Sequence, residues 1–374
     1  FKTIYKKDSF SIILMMMKIL LCAIFFHFLV PSECFLGLQK QKTTTLFNDL
    51  TESNEIDKII FPSVLCVGDA LFDCIATDDA RGISVEEMTK HGSWKAFPGG
   101  APANVATACC KLGTKSAFAG CLGCDEDGDE LEALLLDTGV DITLVQRALT
   151  KTTPTRRVMV TRSSEGDREF GGFCGGLSAD AFADCLLDSS KFLASPSKDE
   201  DEDAERILNG VSWIVCSTLS LAFPKSANSI YELVDYGTKN GKAQLYVDIN
   251  WRPVFWPDDD TAARQTIMDF ARKATIVKLT DEEAEWLFGI PAAEAFANPE
   301  RILQKEFPNA LGILVTAGER GASYSLLGCT GEIGAFHVDV QDTTGAGDAF
   351  TAGIIHGLLA LQNTDTTLKP LSSK

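Results

Sequence analysis

From Val64 onward the chain alternates short apolar runs with longer stretches of helical period. The runs 64–68, 117–120, 211–216, 244–248, 275–279 and 312–316 are too short for helices and apolar at nearly every position. That pattern predicts strands buried on both faces. Between them, 101–112, 130–138, 227–238, 261–273 and 282–288 space their apolar residues three and four apart, as on one face of a helix. Gly113 stands where the first of these helices would stop. Strands alternating with helices predict an α/β fold with a central, mostly parallel sheet covered on both faces. One stretch breaks the alternation. Segments 155–160 and 168–170 are strand-like and flank the polar turn 163–167, the pattern of a β-hairpin. With 74–97 it would form a small β lid, its parts about 74–98 and 151–175, able to exclude water from a site beneath it.

The leading residues follow another rule. Lys18 precedes an apolar run at 19–30, and Pro31, Ser32, Glu33 and Cys34 come after it. A basic flank, a short apolar core and small residues describe a secretory signal over 1–34 better than a membrane span. Residues 35–60 are rich in Thr, Lys, Gln and Asn with weak periodicity, as in a transit or linker segment. A signal followed by such a segment, with Phe35 at the join, resembles bipartite plastid targeting in algae with complex plastids. Plain secretion to the extracellular space is the alternative. Because the sequence opens on Phe1, Met15, Met16 or Met17 is the expected start. The folded domain is expected over 61–362, with a polar tail at 363–374.

The 374 residues carry a net charge of −18, which argues against a nucleic-acid surface because that needs a basic face. A small anion held by local donors is not excluded. The acidic run 199–205 reads as a solvated loop. Twelve cysteines could suggest a disulfide scaffold, but a chain of this length does not need one. Cys66, Cys109, Cys110 and Cys216 lie in apolar runs, as small core residues do. Cys121 and Cys124 have metal-like spacing, yet no second pair follows and the four histidines are scattered, so no zinc centre is expected.

Candidate chemistry gathers after the expected strands, where open parallel sheets bind ligands. Asp73 follows the first, Asp248 with Asn250 and Arg252 a middle one, and Gly318 follows Thr316. The most informative string is Asp342-Thr343-Thr344-Gly345-Ala346-Gly347-Asp348, just before an apolar helical run. Backbone N–H groups at a helix start attract an anion, and glycines let a phosphate come close. A carboxylate beside such a cradle is what phosphoryl transfer to a hydroxyl requires. Taken alone, the string is more often a capped turn than a site. It lacks the third glycine of the dinucleotide fingerprint, where Phe350 stands, and no stretch matches the phosphate loop ending in Gly-Lys-Ser/Thr.

A second motif changes the weight of the first. Gly99-Gly100-Ala101-Pro102-Ala103-Asn104-Val105-Ala106 is followed by Gly113, Gly120, Gly123, Asp125 and Gly128, and then, far downstream, by the segment from Asp342 to Ile355. Through these motifs the chain, from about Val64 to Leu361, resembles the pfkB carbohydrate kinases, whose fold is ribokinase-like. The resemblance implies ATP-dependent phosphorylation of a sugar's primary hydroxyl, with Mg²⁺ bridging the nucleotide phosphates and K⁺ as a further ion. It implies that Asp348 is the catalytic base and that Gly345, Ala346 and Gly347 form the anion hole. Asp73, Gly99, Gly100, Asn104, Asp248, Asn250 and Arg252 would hold the sugar. Thr316, Gly318, Gly321 and Thr344 would lie on the nucleotide side, and Glu283 near the metal–phosphate site. Thr280 departs mildly from the family's usual Asn.

The segment from Asp248 to Trp256 looks like the fructokinase version, of the plant and cyanobacterial type, so fructose is the expected sugar and fructose 6-phosphate the product. The bland alternative is that Trp251, Phe255 and Trp256 simply pack. Ribokinase-type or nucleoside kinases, and a non-catalytic kinase-like plastid partner, are the competing readings. Family members continue further past Asp348 than this chain does, so an incomplete C-terminus is expected. The expected partners are a sugar and ATP, with no nucleic acid and no membrane after signal removal. An exposed lid edge makes a homodimer the expected assembly.

Overall fold

The computed structural model describes residues 62–77, 84–162, 168–193, 200–256, 260–336 and 344–364. The expected leader, the hairpin turn 163–167, Asp342, Thr343 and most of the expected tail lie outside the described residues. The strands are β1 (Val64–Val67), β2 (Leu71–Ala76), β3 (Trp94–Gly99), β4 (Ser116–Leu122), β5 (Val145–Arg147), β6 (Arg157–Arg162) and β7 (Arg168–Phe173), then β8 (Trp213–Ser217), β9 (Gln244–Asp248), β10 (Ile276–Thr280), β11 (Gly312–Thr316), β12 (Ala322–Leu326) and β13 (Cys329–Ile333). The helices are α1 (Val85–His91), α2 (Ala101–Lys111), α3 (Glu126–Asp137), α4 (Ser190–Leu193), α5 (Glu200–Gly210) and α6 (Pro224–Lys239), then α7 (Asp260–Ala271), α8 (Asp281–Phe288), α9 (Ala292–Ala297), α10 (Pro299–Glu306) and α11 (Ala346–Thr364).

The larger sheet has the order β13-β12-β11-β10-β9-β8-β1-β4-β5. It is parallel from β11 to β5, and β12 and β13 add an antiparallel edge. Successive residues of its strands face opposite ways, and both faces are covered. Leu65, Val67, Ile214, Val247 and Val277 pack with Ile207, Ile230, Leu233 and Ile267 of α5, α6 and α7. Val64, Cys66, Phe118, Val215 and Tyr246 pack with Ala103, Val105, Leu131 and Ile355 of α2, α3 and α11. This two-sided burial is why these strands are apolar nearly throughout.

A second sheet, in the order β3-β2-β6-β7, stands apart from the first. β2 pairs antiparallel with β3 and parallel with β6, and β6 and β7 form the expected hairpin. Its junction with the main body is a cluster of Leu71, Val158, Phe173, Phe182, Leu219, Phe223 and Phe255. Arg156 lies at this junction with no exposed surface and makes a two-pronged ion pair with Asp184, at 2.7 and 2.8 Å. Its guanidinium lies over the rings of Phe173, Phe182, Phe223 and Phe255.

Some boundaries differ from expectation for local reasons. α3 begins at Glu126, ahead of its apolar periodicity, because the Asp125 carboxylate accepts from Gly128 N at 2.9 Å and caps an acidic first turn. β2 begins at Leu71, ahead of the lid segment expected from 74, and β3 is exposed along Lys95–Pro98, so it lacks a strand's alternation. α11 runs on to Thr364, past the point where its apolar pattern fades.

Candidate active site

The motif from Gly99 to Ala106 is first of all a packing solution. β3 ends and α2 begins at Gly99-Gly100, pressed against the turn between β1 and β2. A Cβ at Gly99 would fall 2.6 Å from Asp73 Oδ2, and one at Gly100 would fall 2.5 Å from the Asp69 carbonyl oxygen. Gly100 also holds φ at +95° as the cap of α2, a conformation that favours glycine. Pro102 in the first turn suits a position whose N–H has no helical partner. Asp73, on β2, is thereby set beside the start of α2.

α11 starts beside α2 and packs against it. Gly345, at φ +75°, turns the chain into the helix, and Asp348 lies in its first turn. Asn104, in the first turn of α2, donates its Nδ2–H to Asp348 Oδ2 at 2.8 Å. The half-buried Asp348 carboxyl is pushed up to about 6 by desolvation. The Asn104 hydrogen bond opposes this, Asp248 adds to it, and Lys278 and Arg252 pull the other way.

Beneath the start of α11 lies a buried ion pair between Asp248 at the end of β9 and Lys278 in the middle of β10. Lys278 Nζ donates to both oxygens of Asp248, at 2.9 and 3.0 Å, and Thr351 Oγ1 donates to Asp248 Oδ2 at 3.2 Å. All three side chains are nearly inaccessible to solvent. Burial alone would lower the Lys278 ammonium, but Asp248, first among its charged neighbours, holds it above its ordinary value. A Cβ at Gly347 would lie 3.1 Å from Lys278 Nζ, so the ammonium sits directly behind the Gly-rich turn.

Glu283 is buried beside this pair and is pulled two ways by backbone. Its Oε2 accepts from Thr280 N at 2.8 Å while Thr280 Oγ1 accepts from Glu283 N at 3.0 Å, a reciprocal cap at the start of α8. Its Oε1 accepts from Trp251 N at 2.9 Å. Desolvation raises its carboxyl, with Lys278 and Arg252 opposing. Arg252 approaches Glu283 Oε1 at 3.7 Å and lies over the Phe170 ring of β7, linking the main body to the second sheet.

Two helix starts, a raised carboxyl, a Gly-rich turn and a buried cation thus converge at the carboxyl ends of the parallel strands. Residues 62–369 match the model of the pfkB family of carbohydrate kinases. The chain belongs to that family. A probable fructokinase-2 of Arabidopsis thaliana is 32% identical over 83% of this chain and 84% of its own. A probable fructokinase-6, chloroplastic, of the same plant is 32% identical over 79% of this chain and 70% of its own. Among solved structures, a fructokinase double mutant from Vibrio cholerae O395, with fructose, ADP and potassium ion bound, aligns with a TM-score of 0.61. It is 26% identical, over 79% of this chain and 83% of that one. The ribokinase-like architecture expected from the motifs is the one observed.

Within this pfkB kinase the expected site residues fall into four neighbourhoods, the fourth being Asp248, Asn250, Arg252 and Glu283 around the end of β9. Asp73, Gly99, Gly100 and Asn104 surround the start of α2, and Asn104 reaches Asp348 directly. Thr344, Gly345, Ala346 and Gly347 lead into Asp348 at the start of α11. Thr316, Gly318 and Gly321 form the tight connection between β11 and β12, with Thr316 paired in register to Thr280 at the cap of α8. A Cβ at Gly321 would fall 2.0 Å from the Ile333 carbonyl oxygen, so that glycine is needed for packing in any case. Asn250 holds φ at +44°, a left-handed turn that carries the chain from β9 toward Arg252. Asp248 points both oxygens at Lys278 and is 4% exposed.

Lys278 and Thr351 were not among the expected site residues. The available signal was a lysine inside the apolar strand Ile276-Val277-Lys278-Leu279, which a strand buried on both faces admits only with a partner.

Proposed function

We propose that this pfkB kinase transfers the γ-phosphoryl group of ATP to the primary hydroxyl of fructose, giving fructose 6-phosphate. The observation that carries the reading is the Asp348 carboxyl, raised to about 6 and oriented by Asn104 at the first turn of α11. A base in that range is matched to proton removal near neutral pH better than an ordinary aspartate is. Asn104 occupies Oδ2, so Oδ1 is the oxygen we assign to the hydroxyl proton.

The Gly345–Gly347 amides face charge that develops on the transferring group, where preorganised donors contribute most. Asp73, Gly99, Gly100, Asn104, Asn250 and Arg252 are assigned to the sugar, whose hydroxyls all need partners once water is excluded. Thr316, Gly318, Gly321 and Thr344 are assigned to the nucleotide. The fructose and ADP held by the Vibrio relative support both assignments, ADP being what remains after ATP has given up its γ-phosphoryl. The second sheet is assigned the role of a lid, since Phe170 already meets Arg252 across the gap.

A protein-built Mg²⁺ site does not fit these residues. Among the described residues no group of three His, Cys, Asp or Glu is placed to hold a metal ion, and both oxygens of Glu283 accept from backbone amides. Mg²⁺ is therefore assigned to the nucleotide phosphates themselves. Potassium is bound in the Vibrio relative, which supports K⁺ as a further ion of this kinase. Plastid import rests on the leader pattern and the chloroplastic relative. No described helix is long and apolar enough to cross a membrane. Dimerisation through the exposed β3 edge, where Phe97 is 46% exposed, completes the reading.

The test is Asp348→Asn in a coupled assay of fructose phosphorylation. Loss of a general base lowers kcat by about 10²–10⁴-fold. Activity surviving within a few-fold would remove Asp348 from the reaction, and a parent chain with no turnover would favour a non-catalytic partner.

A further inference from the structure

The Lys278–Asp248 pair raises a question that the fold alone does not answer. Both side chains are almost fully buried, paired in register on neighbouring parallel strands. Burying two charges costs several kcal/mol per ion in general, and an apolar pair of similar volume commonly serves stability as well or better. A reason other than stability is therefore expected, and the geometry supplies one. The pair is a fixed dipole whose positive end stands against Gly347, in the turn that leads into Asp348. Its negative end is tied to α11 through Thr351.

We propose that Lys278 is a positioning residue of the phosphoryl transfer, its ammonium held by Asp248 behind the Gly345–Gly347 amides so that the transferring group meets a fixed positive charge there. This rests on the reading of Asp348 and the Gly-rich turn given above. On this assignment Asp248 serves the site through Lys278 and Thr351 rather than by touching the sugar. The amides alone attract an anion weakly. A buried cation behind them is little screened and needs no reorganisation as charge develops. The groups facing Asp348 are Asn104 from α2, Asp248 from β9, Lys278 from β10, Arg252 from the loop after β9, and the Cys66 thiol from β1. Lys278 is one of the two cations among them.

The experiment compares Lys278→Met with the neutral doublet Asp248→Asn/Lys278→Met, which leaves no unpaired buried charge. Thermal melting first establishes that each chain is folded. The doublet is expected to lose about 10²-fold in kcat, on the scale of a lost oxyanion donor, with the fructose KM changed by less than about threefold. In the single variant the acid limb of kcat/KM should also move to higher pH, because Asp248 remains and the cation opposing it is gone. If Lys278→Met does not fold, the doublet decides. A doublet with kcat within about threefold of the parent overturns the proposal. So does a fructose KM raised about tenfold at unchanged kcat, which would hand Asp248 to the sugar, and so does an unmoved limb in a folded Lys278→Met. If Asp348→Asn is inactive while the doublet is not, only this inference fails and the reading of the site stands.

Discussion

At the scale of single residues, the raised carboxyls set the pH behaviour. With Asp348 pushed up to about 6, kcat/KM should fall as pH drops below that value, because the protonated acid cannot accept the hydroxyl proton. Asp69, almost fully buried, is also pushed up to about 6, by desolvation and then by Asp184. The limb therefore needs assigning. A pH–rate profile of Asp69→Asn should keep the limb where the parent has it, and a limb that disappears with Asp69 would take the base role from Asp348. Both shifts lie above the unfolded value, so the native state holds these protons more tightly. Their contribution favours folding at low pH and is lost as pH rises through about 6. Asp348 and Asn104 were legible in the sequence because each stands in a Gly-rich string, and two such strings in that order rarely arise from packing alone. Lys278 and Thr351 were not, since each hides in an apolar run and only the folded register shows which charge or hydroxyl it meets.

At the scale of elements, the start of α2 shows how a motif proposed for binding is also a folding requirement. Gly100→Ala adds a Cβ 2.5 Å from the Asp69 carbonyl at φ +95°, whereas Gly139→Ala meets a similar φ of +83° in open space. Backbone strain of this kind costs about 1–3 kcal/mol, and the clash adds to it only at Gly100. Denaturant unfolding should find Gly100→Ala the less stable of the two, and its fructose KM should rise while that of Gly139→Ala stays near the parent. Equal stabilities would mean that the β1–β2 turn yields easily. Most elements of the large sheet were readable in the sequence, since burial on both faces writes itself as continuous apolar runs. The second sheet was readable as its β6–β7 hairpin and as a lid segment at about 74–98, but not as the separate strands β2 and β3. β2 carries Asp73 and β3 is exposed over most of its length, so neither shows a periodic signal, and pairing across the sheet rather than local pattern defines them.

At the scale of the whole molecule, Arg156 joins the two sheets. Its pair with Asp184 and its four aromatic neighbours come from both sides of the junction. Removing one member of a buried ion pair typically costs about 3–5 kcal/mol, because the other charge is left alone. Arg156→Met should lose stability on that scale in denaturant titrations, and Arg156→Met/Asp184→Asn should recover part of it. If the single variant unfolds with the parent, the junction does not depend on the charge. The meeting of two helix starts at Asn104 and Asp348 bears on the chain's net charge of −18 as well. Over distances beyond the Debye length of about 8–10 Å, solvent ions hide that acidity from an approaching anion. On the proposed reading, an anion at contact would meet the Gly345–Gly347 amides and, behind Gly347, the ammonium of Lys278. The proposed site would then separate the field that governs approach from the field that governs capture, and so let an acidic protein hold a polyanion without a basic surface.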